Sequence, residues 1–257
     1  MEEPADDGAR RPKRWPVVAA VAAVAFAVGF VLSILLPFAL GGRAGSTAGA
    51  GPGCADDALV GTVSVGNVTA RTDPDPSARA IQTFRKMAPY DVPQVFALLS
   101  QVAGSDGRTW YRAALPVPPN GSMGFIPTSA VRLSTSPYHL VVDRHGLTLT
   151  VYRHCSRIGQ YRVAVGKPST PTPRGDFYLT GLFRPAPNSA LGPYAYSLSA
   201  HSEVLTWWRF GGIVGLHGTN DPSSIGRAVT HGCIRLPNEE MERLARLLPV
   251  GTPIEVR

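Results

Sequence analysis

The sequence predicts a mainly β protein of two folded parts carried behind one membrane-spanning helix, and three observations predict it. An uncharged apolar run occupies residues 15–42. Short β-prone pieces between glycine and proline turns fill about 59–133. After Ser136 a cleaner two-residue alternation begins, and it closes on a single amphipathic helix. The composition agrees: 257 residues, 44% hydrophobic and 17% charged with three cysteines, exclude a disordered chain, a disulfide-dense miniprotein and a collagen-like repeat.

The apolar run from Val17 to Leu36 is flanked by Trp15 and by Pro37 to Leu40. A span of about 20 apolar residues crosses a bilayer core as a helix. Arg10-Arg-Pro-Lys-Arg14 precedes it and only Arg43 lies just after it, so the positive-inside rule keeps the N-terminus in the cytoplasm. The expected layout is a cytoplasmic tail over 1–15, an uncleaved signal anchor over 16–40, a flexible linker over 41–58, and an outward-facing remainder of 215 residues after position 42. Residues 1–42 carry no net charge, so the whole +7 belongs to the outward part. Ala48-Gly-Ala50 offers a cleavage site and Cys54 a lipid-anchor cysteine. Against these, the apolar run is longer than a secretory h-region and ends well before Ala50, and Gly51-Pro-Gly53 lacks the apolar residue of a lipoprotein signal.

In the middle, Val63-Ser-Val65, Val68-Thr-Ala-Arg71, Pro93 to Leu98, Thr109-Trp-Tyr-Arg-Ala113 and Gly124-Phe-Ile126 alternate with turns at Asp73-Pro-Asp-Pro76, Ser105-Asp-Gly107 and Pro118-Pro-Asn-Gly121. Many short strands between such turns predict a small barrel. The order Val68 to Arg71, then Asp106 to Arg112, then Gly121 to Pro127 with Ala130-Val-Arg-Leu133 resembles a bacterial SH3-like domain over 59–135. That resemblance implies a wall-associated or spacer module and not a catalyst. Trp110, Tyr111 and Phe125 are expected as barrel core, with a ligand groove as the alternative.

After Pro137, Leu147-Thr-Leu-Thr-Val-Tyr152 places Leu147, Leu149 and Val151 on one face, and Gln160 to Val165 supplies the third strand of an antiparallel meander. Met241, Leu244, Ala245 and Leu248 form a helical stripe, with Glu239 and Glu240 at its start and Arg243 and Arg246 toward its end, and Thr252 to Val256 closes as a strand. Between them, His217 and Thr230-His-Gly-Cys233 put two histidines and a cysteine within 17 residues, with glycine beside each. A thiol needs a base to become a nucleophile near neutral pH. A neighbouring glycine lets backbone N–H groups approach a developing oxyanion.

This pairing, with Thr172-Pro-Arg-Gly-Asp-Phe177 upstream, resembles the L,D-transpeptidase (YkuD) catalytic domain over 137–257. The resemblance implies a β-sandwich with a short C-terminal helix, Cys233 as nucleophile and His217 as general base, oriented by the Gly218 carbonyl. It further implies oxyanion N–H groups from the His231, Gly232 and Cys233 segment. Arg235, Thr230, Tyr196 and Trp208 are the candidate substrate-binding residues. Arg235 stands where Asn is frequent, and its fork suits a substrate carboxylate.

The activity so implied is formation of 3→3 peptidoglycan cross-links, with no cofactor and no metal. The expected partners are a donor tetrapeptide stem, an acceptor amine and the membrane through 16–40, with no nucleic acid, and the expected place is the outer face of the cell membrane. L,D-carboxypeptidase activity and a non-catalytic wall-binding scaffold are the alternatives. Zinc on His217, His231 and Cys233 lacks the close ligand pair of a structural site. A papain-like peptidase is excluded by order, since no histidine follows Cys233. Asp221 lies in a turn and completes no triad. Cys54 and Cys155 are left as a candidate disulfide.

Overall fold

The computed structural model describes residues 57–207 and 212–257. The expected tail, the anchor over 16–40, nearly all of the linker, Cys54 and Trp208 lie outside the described residues. Among the described residues no helix is long and apolar enough to cross a membrane.

Residues 58–136 build one antiparallel sheet. In chain order its strands are β1 (Ala58–Val63), β2 (Asn67–Arg71), β3 (Ala80–Arg85), β6 (Val95–Ala103), β7 (Thr109–Ala114), β8 (Met123–Pro127) and β9 (Val131–Ser136). A two-stranded ribbon, β4 (Met87–Ala88) with β5 (Val92–Pro93), interrupts the series after β3. The spatial order is β3-β2-β8-β7-β6-β1-β9. Along β7, Tyr111 and Ala113 enter the core while Arg112 is exposed, and Trp110, on the Arg112 face of the strand, is buried outside that core. Phe84, Phe96, Leu98, Tyr111, Ala113 and Ile126 make the core, with Phe84 set edge-on to Phe96 at 5.0 Å. Trp110 is buried as expected, whereas Phe125 is only half-buried.

The chain leaves this sheet at Ser136 and enters a second one at Tyr138. The second sheet uses β10 (Tyr138–Asp143), β11 (Thr148–Arg153), β12 (Ser156–Arg162), β14 (Gly175–Phe183), β15 (Ala195–His201), β16 (Ile213–His217), β18 (Ile234–Arg235) and β19 (Pro253–Val256). A small parallel pair, β13 (Val165–Gly166) with β17 (Ala228–Thr230), lies apart from it. The order is β12-β11-β10-β19-β14-β15-β16-β18. Thus β10 to β12 form the expected meander, and the last strand inserts beside β10 in parallel. β14 joins the two halves: Gly175 to Tyr178 pair with β19, and a register shift near Leu179 passes the rest of the strand to β15.

The helix α1 (Asn238–Leu247) has Glu239 and Glu240 in its first turn and Arg246 in its last, the arrangement its dipole favours. Met241, Leu244 and Leu248 bury into one cluster with Leu140, Leu149 and Val151 from one half of the sheet and Leu198, Leu216 and Ile234 from the other. The described residues are mainly β with a short C-terminal helix, as expected.

Both sheets lie in one compact unit and share a seam. Val60, Val95 and Tyr178 form a third buried cluster with Val250 against it. The Tyr178 hydroxyl donates to the Ala114 carbonyl at 3.2 Å, and Ser136 and Thr252 share a hydroxyl hydrogen bond of 2.8 Å. On another flank Tyr90 stacks on Phe183 at 4.2 Å. Tyr178→Ala is therefore expected to cost about 3–5 kcal/mol in denaturant unfolding, and Tyr178→Phe only about 1 kcal/mol, the worth of one hydrogen bond.

Candidate active site

The site is set by the parity of one strand. Successive side chains of β16 point to opposite faces. Val214 and Leu216 enter the core, so Ile213, Gly215 and His217 share the other face, beside a cavity of about 190 Å³ that Cys233 and Arg235 also line. β18 runs parallel to β16 with Ile234 opposite Leu216 and Arg235 opposite His217. That register brings Cys233 alongside Gly215. A β-carbon at Gly215 would sit 3.4 Å from His217 Cδ2 and 3.7 Å from Cys233 Sγ, so the bare backbone there separates base and thiol by no more than a side chain's width.

His217 is 3% exposed, and its Nδ1 lies 2.6 Å from the Gly218 carbonyl. A carbonyl only accepts, so Nδ1 carries the proton and Nε2 keeps its lone pair. Burial pushes the imidazole pKa down to about 4; the Gly218 bond opposes this and the nearby Arg235 charge adds to it. His217 is therefore a neutral base near pH 7. Gly218 must lack a side chain, because a β-carbon would meet Asn238 Oδ1 at 2.3 Å. That oxygen accepts the Thr219 N–H at 2.8 Å, tying the loop after His217 to the first residue of α1.

Cys233 is a free cysteine. Burial raises its thiol pKa, while the Gly215 N–H, which donates to Sγ at 3.4 Å, and the Arg235 charge lower it in part. The resting site thus pairs a thiol with a neutral imidazole. Both shifts come chiefly from desolvation, which disfavours the charged form of each group.

Three threonine hydroxyls hold the cysteine loop. Thr170 donates to the Thr230 carbonyl at 3.1 Å, Thr172 to the Gly232 carbonyl at 2.8 Å, and Thr230 to the Cys233 carbonyl at 2.6 Å. This arrangement corrects two expectations. The Gly232 N–H donates to Thr230 Oγ1 at 3.1 Å and is not available to an oxyanion; Gly232 is needed because its φ of +119° is strained for any side chain. Thr230 is 1% exposed with its hydroxyl committed as donor and acceptor, so it shapes the loop instead of binding substrate. The Cys233 N–H has no partner among the described residues, which leaves it as a donor available to a developing oxyanion.

The family model of the L,D-transpeptidase catalytic domain, YkuD, matches residues 137–256. YkuD of Bacillus licheniformis is 39% identical over 122 residues, covering 48% of this chain and 67% of that one. YqjB of Bacillus subtilis is 32% identical over 133 residues, covering 48% and 72%. The chain belongs to the L,D-transpeptidase family. A solved Enterococcus faecium L,D-transpeptidase is 22% identical with a TM-score of 0.38, and the match covers 49% of this chain and about half, 56%, of that one.

The other sequence-predicted residues divide. His231 is exposed and lines the cavity beside Cys233. Arg235 is half-buried, and its Nε is buried without a hydrogen-bond partner. Tyr196 was expected at the substrate and is instead core: it is opposite Leu216 in the β15–β16 register, so parity turns it inward, and its hydroxyl donates to the Leu248 carbonyl at 2.7 Å. Trp208 lies outside the described residues. Cys155 is disulfide-bonded. Asp221 accepts hydrogen bonds within its own turn and none from His217. Sequence reasoning missed Gly215 as a donor to Sγ, although alternation along Ile213 to His217 already puts it on the histidine's face.

Two pH effects follow. Alkylation of Cys233 by iodoacetamide, read by mass spectrometry, should be slow at pH 7 and rise about tenfold per unit through pH 8, where a thiolate–imidazolium pair would react fast and almost independently of pH. His217 has a lowered folded pKa, so the unfolded chain binds its proton first. The stability it confers is full above about pH 6.5 and is lost as pH falls toward 4, by at most about 1.4 kcal/mol per unit, and His217→Gln should flatten that part of the curve.

Proposed function

We propose that this chain is a peptidoglycan L,D-transpeptidase that forms 3→3 cross-links through a Cys233 thioester. The observation that carries the reading is the His217 tautomer: Nδ1–H committed to the Gly218 carbonyl leaves Nε2 as a base on the face where Cys233 stands. Cys233 Sγ attacks the carbonyl carbon of the third stem residue as Nε2 takes the thiol proton, and the carbonyl π pair moves to oxygen, facing the Cys233 N–H. Collapse breaks the bond to the terminal D-alanine, whose nitrogen receives the proton from His217. The acceptor amine then attacks the thioester, gives a proton to Nε2, and expels Sγ, which recovers it. Arg235 supplies the cation for a donor carboxylate, and its unpartnered Nε supports that role.

The sheet over 58–136 fits an SH3-like module that positions the enzyme at the wall, and residues 16–40 fit a membrane anchor that leaves both parts outside. The +7 charge, all of it beyond residue 42, favours encounter with wall polyanions without selecting a substrate.

Incubating the full chain with disaccharide-tetrapeptide should release D-alanine and yield a cross-linked dimer by mass spectrometry. Monomeric tripeptide alone would reassign it as an L,D-carboxypeptidase, and no product would leave the scaffold reading. Cys233→Ala should abolish both activities, and Arg235→Gln should raise KM about tenfold while kcat changes less.

A further inference from the structure

Thr172 is 1% exposed and its hydroxyl is used at both ends. The Gly166 N–H donates to Oγ1 at 2.9 Å, and Oγ1 donates to the Gly232 carbonyl at 2.8 Å. A hydroxyl has one proton, so the first bond leaves the second as its only use. The Thr172 backbone is held as well, since Arg144 Nη1 donates to its carbonyl at 2.9 Å. Gly166 itself cannot carry a β-carbon, which would fall 2.3 Å from the Thr170 carbonyl oxygen; the loop folds against it tightly.

The carbonyl that Thr172 grips belongs to the peptide whose other end is the Cys233 N–H. That peptide is planar and trans, so the N–H points away from the Thr172 side. A hydrogen bond on the oxygen of an amide draws electron density toward it and makes the N–H at its other end a better donor, and bonds in such a chain strengthen one another. We propose that Thr172 is a positioning residue for the oxyanion: its hydroxyl fixes the Gly232–Cys233 peptide plane and polarises the Cys233 N–H that receives the negative oxygen. The link to stem-peptide chemistry rests on the function proposed above; the relay concerns any acyl transfer to Cys233.

The test separates acylation, which develops an oxyanion, from alkylation, which uses the same thiol without one. In the full chain, the rate of p-nitrophenol release from p-nitrophenyl acetate is measured beside iodoacetamide alkylation of Cys233 at the same pH. Thr172→Val and Thr172→Ala are expected to slow acylation about 10- to 100-fold, less than direct loss of an oxyanion donor, and to leave alkylation within about twofold. Thr172→Ser, which keeps the hydroxyl, should restore acylation to within about threefold. The relay is overturned by any of four results: both reactions slow together, acylation is unchanged, serine does not restore it, or the ester does not acylate wild-type Cys233. A wild type that the ester acylates but that leaves disaccharide-tetrapeptide intact would remove the proposed substrate and leave the relay to be judged by the ester alone.

Discussion

The chemistry of the site depends on the hydrogen bond from His217 Nδ1 to the Gly218 carbonyl. A carboxylate in that place would stabilise imidazolium and draw the thiol proton across before substrate arrives. A neutral carbonyl orients the ring and fixes the tautomer but offers little to the charged form. Burial then sets both partners toward neutrality, lowering His217 and raising Cys233. On the proposed reading the nucleophile forms only as it attacks, so no standing thiolate is open to oxidation.

A base held this way needs its thiol held as well, and the fold does so with short elements. β18 is two residues long, yet its parallel register against β16 places Cys233 beside Gly215. The loop before it has no regular structure, and threonine hydroxyls take the place of a ladder by occupying the carbonyls of Thr230, Gly232 and Cys233. Each buried carbonyl left unpaired would cost about 1–3 kcal/mol, so these bonds resist any other loop conformation.

The sequence made the chemistry legible and the faces less so. Cys233, His217 and the Gly218 carbonyl were legible through the family resemblance that their motifs carry, and the carbonyl contact, which the structure contains, is local in the chain. Gly232 was misread as a donor because its N–H is claimed by Thr230, a bond that depends on the turn between them and not on composition. Tyr196 was misread because aromatic content does not give parity, whereas the register with β16 does. The parallel insertion of β19 between β10 and β14 was hidden for another reason: a closing strand shows its own alternation but not its neighbours.

The first sheet bears on the cavity without lining it. Asn120, in the turn before β8, accepts the His201 N–H and donates to the His201 carbonyl, each at 2.8 Å, and so closes the end of β15 from the other sheet. The next residue, Ser202, lines the cavity, and its Oγ accepts the N–H groups of Val204 and Leu205, the latter also on the cavity wall. Only Pro137 separates β9 from β10, and the Ser136–Thr252 and Tyr178–Ala114 bonds cross the seam beside it. A module joined this closely cannot swing on its linker as a tethered wall binder would. Its orientation is built into the catalytic part, and the Asn120 clamp makes one wall of the cavity depend on both sheets being in place.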